Sequence, residues 1–312
     1  MLKIPLESIS FPGTVGSLPR EVAFSKTKLL WSCITVGRPD KSSVKHFEQF
    51  ARFEMLYRWN MIQASMDFSS TSNLIHNSPA FRNFDPSEKG SVNFFLGMVI
   101  LKLCADLVLD TPWLVHASLF KTKGGSLPLV AGKSCADLLG FSNSYGGWGV
   151  FEAKGRNSGV DTKLIEKAKD QATNIASVNG ARPWIYVAST LYRIGSNKQL
   201  GFYWEDPNPP DGKPTIHLEG DRDTWWQYYL PIRELVREYD RDPSSFEQQF
   251  GFRIELNKQV HELVSELDNN NPKFELALER LQTWSRDARD KQDDFWQGDG
   301  VGLKITRDRI AQ

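Results

Sequence analysis

Cysteine is scarce in this chain. Its 312 residues hold three, Cys33, Cys104 and Cys135. That odd number at wide spacing fits neither a disulfide framework nor a thiolate zinc site. The five histidines show no metal-ligand spacing. There is no GxxxxGK(S/T) phosphate loop and no GxSxG elbow, so neither nucleoside triphosphate hydrolysis nor serine-hydrolase chemistry has a basis here. The opening MLKIPLESISFPG lacks the long apolar core and cleavage site of a signal peptide. The longest apolar stretch, Val92 to Leu109, is interrupted by Lys102 and Asp106, and is read as a buried helix rather than a membrane span. These absences predict a soluble chain in a reducing, cytoplasmic setting, with no membrane partner.

Net charge is missing as well, since 38 Lys/Arg balance 38 Asp/Glu. The distribution is uneven, however. Residues 115–200 hold 11 basic against 5 acidic residues, whereas 201–312 hold 15 against 23. A local basic surface can hold a phosphate backbone on a neutral protein. Taken alone, such an excess is more simply a solvated helix face.

Periodicity divides the chain at Pro-rich breaks, with Asp206 to Pro214 the clearest. Val22 to Phe24 and Leu29 to Val36 read as strands. Asp40 to Ser43 then offers caps for a helix over Val44 to Met66. Lys45, His46, Arg52, Arg58 and Trp59 interleave there as a base-stacking face would, but a core stripe with a wet back is the simpler reading. Ser69 to Lys89 reads as a loop, Gly90 to Leu109 as a helix, and Trp113 to Phe120, Lys133 to Phe141 and Gly149 to Lys154 as strands. Asp161 caps a helix to Val178 whose inner face is Ile165, Ala168, Ala172 and Ile175, and Trp184 to Thr190 is the next strand. Helical runs over 224–240, 246–267 and 273–291 complete the chain. His116, on an apolar strand, reads as a satisfied core histidine.

One constellation carries chemistry. Hydrolysis of a phosphodiester needs an activated water and neutralisation of developing charge, and a hard divalent ion supplies both. Such an ion takes oxygen ligands, typically one or two carboxylates plus water and phosphate, and a nearby ammonium assists at the transition state. The chain holds three (D/E)xK tripeptides. Asp161-Thr162-Lys163 lies at a helix start and Asp211-Gly212-Lys213 in a turn. Only Glu152-Ala153-Lys154 ends an apolar strand with an acid, Asp137, on the strand before it. Side chains alternate along a strand, so Glu152 and Lys154 share a face, and Asp137 can sit beside Glu152 if the two strands pair. The helix that follows bears Lys163, Lys167 and Gln171 on one side. A structural ion-pair cluster is the competing reading, and Arg156 reads equally as a phosphate contact or a surface residue.

Ala136-Asp137, the Glu152-Ala153-Lys154 strand and the Lys167-Ala168-Lys169-Asp170-Gln171 helix together resemble the PD-(D/E)XK nuclease superfamily over about residues 88–192. The resemblance implies an α/β fold with a restriction-endonuclease-like αβββαβ core and a mixed central sheet over 88–205. An N-terminal α/β extension (1–87) and a mostly helical C-terminal extension (206–312) would flank it. It implies Asp137, Glu152 and the Ala153 carbonyl as ligands of Mg²⁺ or Mn²⁺, Lys154 acting on the water or phosphate, and Gln171 orienting substrate or Lys154. Ala136 stands where the name-giving proline would be. Many members carry a further acid on the first helix, for which Glu88 is the better match and Asp106 the other. The implied activity is an Mg²⁺-dependent endonuclease acting on DNA, in restriction or defence against foreign DNA. The alternative is a catalytically inactive nucleic-acid-binding or scaffold protein. The acidic C-terminal helices are candidates for a homodimer or protein-partner surface.

Overall fold

The computed structural model describes all residues except 38–47, 69–72, 123–134, 196–198, 209–215, 221, 269–272, 290–293 and 307–312. The fold is mixed α/β. Seven strands form the central sheet in the order β2-β1-β11-β10-β8-β7-β5: β1 (Leu2–Ile9), β2 (Glu21–Phe24), β5 (Trp113–His116), β7 (Leu138–Ser142), β8 (Gly147–Gly155), β10 (Tyr186–Tyr192) and β11 (Gly201–Glu205). The β8–β10 and β1–β11 pairs are parallel and the others antiparallel. A second sheet runs β6-β12-β9, from β6 (Lys121–Thr122), β9 (Ile175–Val178) and β12 (Ile216–Glu219). The short β3 (Met66–Asp67) and β4 (His76–Asn77) pair with each other, as do β13 (Phe252–Leu256) and β14 (Val301–Ile305).

The helices are α1 (Lys26–Thr35), α2 (Glu48–Ser65), α3 (Pro79–Asn83), α4 (Pro86–Leu109), α5 (Thr162–Ala172), α6 (Arg222–Arg241), α7 (Pro243–Phe250), α8 (Lys258–Asp268) and α9 (Phe274–Arg289). On one face of the central sheet α4 crosses β8 and β10, with α1 behind it. Phe151, Ala153, Val187 and Leu191 point into this core. The other face carries α5, and Val150, Leu139 and Tyr186 point to that side.

Several elements depart from the sequence reading for identifiable reasons. Leu29 to Val36 is helical, because Ser25 caps Lys28 N at 3.0 Å and the segment is buried all round, which erases its period. The loop expected over Ser69 to Lys89 holds β4, α3 and the start of α4. Pro79 and Pro86 each follow a capping residue, Ser78 and Asp85, and so begin helices rather than break them. The expected strand Trp113 to Phe120 stops at His116 and becomes a 3₁₀ turn. α5 ends at Ala172, so Ile175 lies on β9, paired with β12, which follows only after β10 and β11. The run 246–267 is helix, strand, helix, because Gly251 takes a left-handed φ of 78° and ends α7. Phe252, Ile254 and Leu256 then alternate with Arg253 and Glu255 as strand residues do. The C-terminal segment therefore contributes strands as well as helices. Of the proposed base-stacking face, Arg58 and Trp59 are buried, while 45–46 and the Arg52 side chain lie outside the described residues. Most of α4 is buried inside the protein.

One buried polar network joins segments distant in sequence. Lys102 of α4 and Asp299 of the β13–β14 connection are both fully buried. Lys102 Nζ donates to Tyr228 Oη at 2.7 Å and to the Thr35 carbonyl at 3.2 Å, and lies 4.4 Å from the Trp31 ring centroid. Asp299 accepts from Trp31 Nε1 at 2.9 Å, from Val301 N at 3.1 Å and from Tyr228 Oη. Tyr229 Oη donates to the Asp299 carbonyl and accepts from Trp113 Nε1, both at 2.7 Å. Removing one member of such a set leaves buried charge uncompensated. Lys102→Met is expected to cost about 3–5 kcal/mol in urea unfolding, and Lys102→Met combined with Asp299→Asn less than the sum of the two single changes. Strict additivity would mean that the two charges do not act as a unit.

Candidate active site

The site forms where the β7–β8 ladder runs out. The last pair of the ladder is Leu138 with Phe151. One residue further on, Asp137 lies just outside the strand, which begins at Leu138 rather than at the predicted Lys133, with 133–134 outside the described residues. Its side chain lies on the α5 side, two residues from Leu139, and directly across from Glu152. The sheet register thus brings the two acids together on one face. Glu152 is fully buried, and its Oε2 accepts from Asp137 N at 2.9 Å. Asp137 Oδ2 accepts in turn from Ala153 N at 3.2 Å. Within a strand a residue's N–H and C=O point to the same neighbour. The Ala153 carbonyl therefore faces the same open end of β7 as the Asp137 carboxylate. Lys154, partly buried, pairs with Glu152 Oε1.

The electrostatics follow from burial. Desolvation pushes the Glu152 carboxyl up to about 8, with repulsion from Asp137 adding to it and Lys154 opposing it. Asp137 is raised by desolvation too, against the pull of Lys154 and of its hydrogen bonds.

Helix α5 covers this face. Asp161 caps it, accepting from Lys163 N at 2.9 Å, and pairs with Arg156. Arg156 is thus held by the cap rather than left as an isolated surface charge. Ile165, Ala168 and Ala172 pack inward as expected, while Lys163 and Lys167 are exposed. Among the described residues neither lysine has an ion-pair partner. Lys169 reaches toward β11, to Glu205 Oε1 at 2.8 Å. Gln171 lies two residues and roughly 200° further round the helix. Its Oε1 is buried without a hydrogen-bond partner.

Two expectations about neighbouring residues resolve differently. Glu88 closes the capping box of α4, its Oε2 accepting from Asp85 N at 3.0 Å, and is exposed. Asp106 pairs with Lys28 near the other end of that helix. Neither acid joins Asp137 and Glu152. His116 is half-buried at the strand end: its Nδ1 meets Ser118 Oγ at 2.8 Å, and burial lowers its pKa to about 4.

The sequence reading missed two residues that border the site. Ser189 Oγ donates to the Glu152 carbonyl at 2.8 Å and fixes the backbone of the acid. Thr190, fully buried on β10, is paired in register with Lys154, and its Oγ1 has no partner. Their signal was hydroxyls inside an otherwise apolar buried strand, which becomes informative only once β10 is known to lie beside β8.

Among the described residues no group of three or more His, Cys, Asp and Glu side chains forms a cage for a metal ion. Two carboxylates and a facing carbonyl instead suit a hard ion that keeps several waters. A carboxyl pair this deeply desolvated is the donor set such an ion would relieve. Compared with protein-family models, curated proteins and solved structures, the chain matches none.

A pH dependence follows. A carboxyl raised on folding holds its proton more tightly in the folded state, so the metal-free fold loses stability as pH rises from the ordinary 4.5 toward about 8. Glu152→Gln stays neutral and escapes that loss. Its melting temperature should climb relative to wild type between pH 5 and pH 8, and the two should converge at low pH. A constant gap across that range would show that Glu152 is not the titrating group.

Proposed function

We propose that this chain is a metal-dependent nuclease hydrolysing phosphodiester bonds, of DNA in the first instance, on a restriction-endonuclease-like core. The observation that carries the reading is the register itself. It sets Asp137 opposite Glu152 beside Lys154, buried on the sheet face covered by a helix that presents Lys163 and Lys167 to solvent. Surface ion pairs need no such burial, and a buried acid pair that repels itself is a poor structural device.

In this reading Asp137, Glu152 and the Ala153 carbonyl hold Mg²⁺ or Mn²⁺. The bound ion supplies an activated water and neutralises charge on the phosphate. Lys154, a point charge with three donors, hydrogen-bonds the water or a non-bridging phosphate oxygen and stabilises the charge that develops there. Gln171 Oε1, buried and unpartnered, orients the water or Lys154. Lys163 and Lys167 hold the substrate backbone through sequence-independent contacts. A role in restriction or defence against foreign DNA is the biological setting this chemistry suits.

Wild-type protein should nick or linearise supercoiled plasmid with Mg²⁺ and not with EDTA. Glu152→Ala and Lys154→Ala should each lower the rate by about 10²–10³-fold while DNA binding in Ca²⁺ is retained. Because ligands bind a metal deprotonated, Mg²⁺ titration near pH 7 should also release protons from wild type, and fewer from Glu152→Gln. Cleavage that survives both alanine changes would reject the site. DNA binding without any turnover would assign the fold to a binding protein instead.

A further inference from the structure

We infer that Thr190 is a second seat for the Lys154 ammonium, and that Lys154 moves there from Glu152 when a divalent ion occupies the carboxylates. The inference rests on the metal reading of Asp137 and Glu152 but adds a residue and a movement to it. Lys154 Nζ is now spent on Glu152 Oε1, an oxygen that a bound cation would claim. Once a divalent ion takes that carboxylate, the attraction that holds the ammonium is largely cancelled and the two cations repel each other. Lys154 must then find another acceptor or turn to solvent.

The neighbouring strand supplies one. Thr190 and Lys154 are direct partners in the parallel β8–β10 register, with strands about 4.8 Å apart. Both point to the α5 face, in step with Tyr186 and Val150. Thr190 is 0% exposed, and its Oγ1 has no partner. The flanking polar group on the far side, Tyr203, is paired in register with Thr190, but its hydroxyl is committed to Glu205 Oε2 at 2.8 Å. A buried hydroxyl left unsatisfied costs free energy that a valine of the same shape would avoid. That cost is accounted for if the hydroxyl serves a second state of the site. In that state it accepts from Lys154 and keeps the ammonium over the β8–β10 seam, close to the substrate phosphate. Thr190 is in this sense a positioning residue, acting through Lys154.

The test is a pair of crystal structures, one of wild type soaked with Ca²⁺ and one of the metal-free Asp137→Asn/Glu152→Gln double variant, in which the charges are removed without any ion. Lys154 Nζ within hydrogen-bond distance of Thr190 Oγ1 in both is the expected result. Lys154 remaining on position 137 or 152, or turned to solvent, in the double variant would overturn the inference. A kinetic arm checks the consequence. Thr190→Val should lower kcat about 10-fold, in the range of outer-shell changes, with KM unchanged and metal-free melting temperature equal to or above wild type; Thr190→Ser should recover most of the rate. Equal kcat for Val and Thr would also overturn it. If Ca²⁺ fails to bind while Lys154 sits on Thr190 in the double variant, the nuclease reading falls and the second seat stands.

Discussion

Two charges that never meet water, Lys102 and Asp299, set the terms on which the rest of the chain packs. An ammonium or carboxylate in the interior is tolerated only when every donor and acceptor around it is supplied. Here the supply comes from Trp31 and Thr35 of α1, Tyr228 of α6, and the backbone of the β13–β14 connection. Satisfying the pair therefore requires the N-terminal, central and C-terminal segments to be assembled together. The apolar core agrees, since one cluster runs from Leu2 through α4 to Leu303. The segments flanking the site are structural parts of its support, whatever else they bind.

Helix α4 links that network to the chemistry. At Lys102 it is anchored in the buried network. Roughly one and a half and two and a half turns earlier, at Gly97 and Asn93, it lies against the backbone of β8 where Lys154 and Gly155 sit. The opposite face of the same strand carries Glu152 and Lys154 under α5. Two kinds of charged burial therefore lie on the two faces of the sheet. On the α4 side the charges have all their partners and hold the structure. On the α5 side the acids repel each other, and Thr190 and Gln171 each hold an oxygen with nothing to bind.

The sequence made the second kind of burial legible and hid the first. Glu152 and Lys154 share a face because strand alternation has a period of two, and this holds whatever the sheet topology. Asp137 needed one further assumption, that neighbouring strands pair, and the register places it opposite Glu152. The cap at Asp161 and the inward face of α5 were likewise local. By contrast, Asp299 lies 197 positions from Lys102 in a Gly-Asp-Gly turn with no local sign of burial. The strand β9 was absorbed into a helix because its partner β12 follows it by almost forty residues. Thr190 was invisible for the same reason, since an unpaired hydroxyl is defined by its surroundings. Leu29 to Val36 misled in another way: a helix buried on all sides loses the periodicity by which helices are recognised.

The contact between α4 and β8 also limits how the protein can change. A Cβ at Gly155 would fall 1.9 Å from the Asn93 carbonyl oxygen, and one at Gly97 would fall 2.8 Å from that of Lys154. Backbone presses on backbone there, with no side chain between them to yield. The strand that carries the acids is in effect a fixed casting, and substitutions that alter it displace the lysine along with the helix. Room for change is left to the exposed turns of α5, where residues can be exchanged without moving that strand.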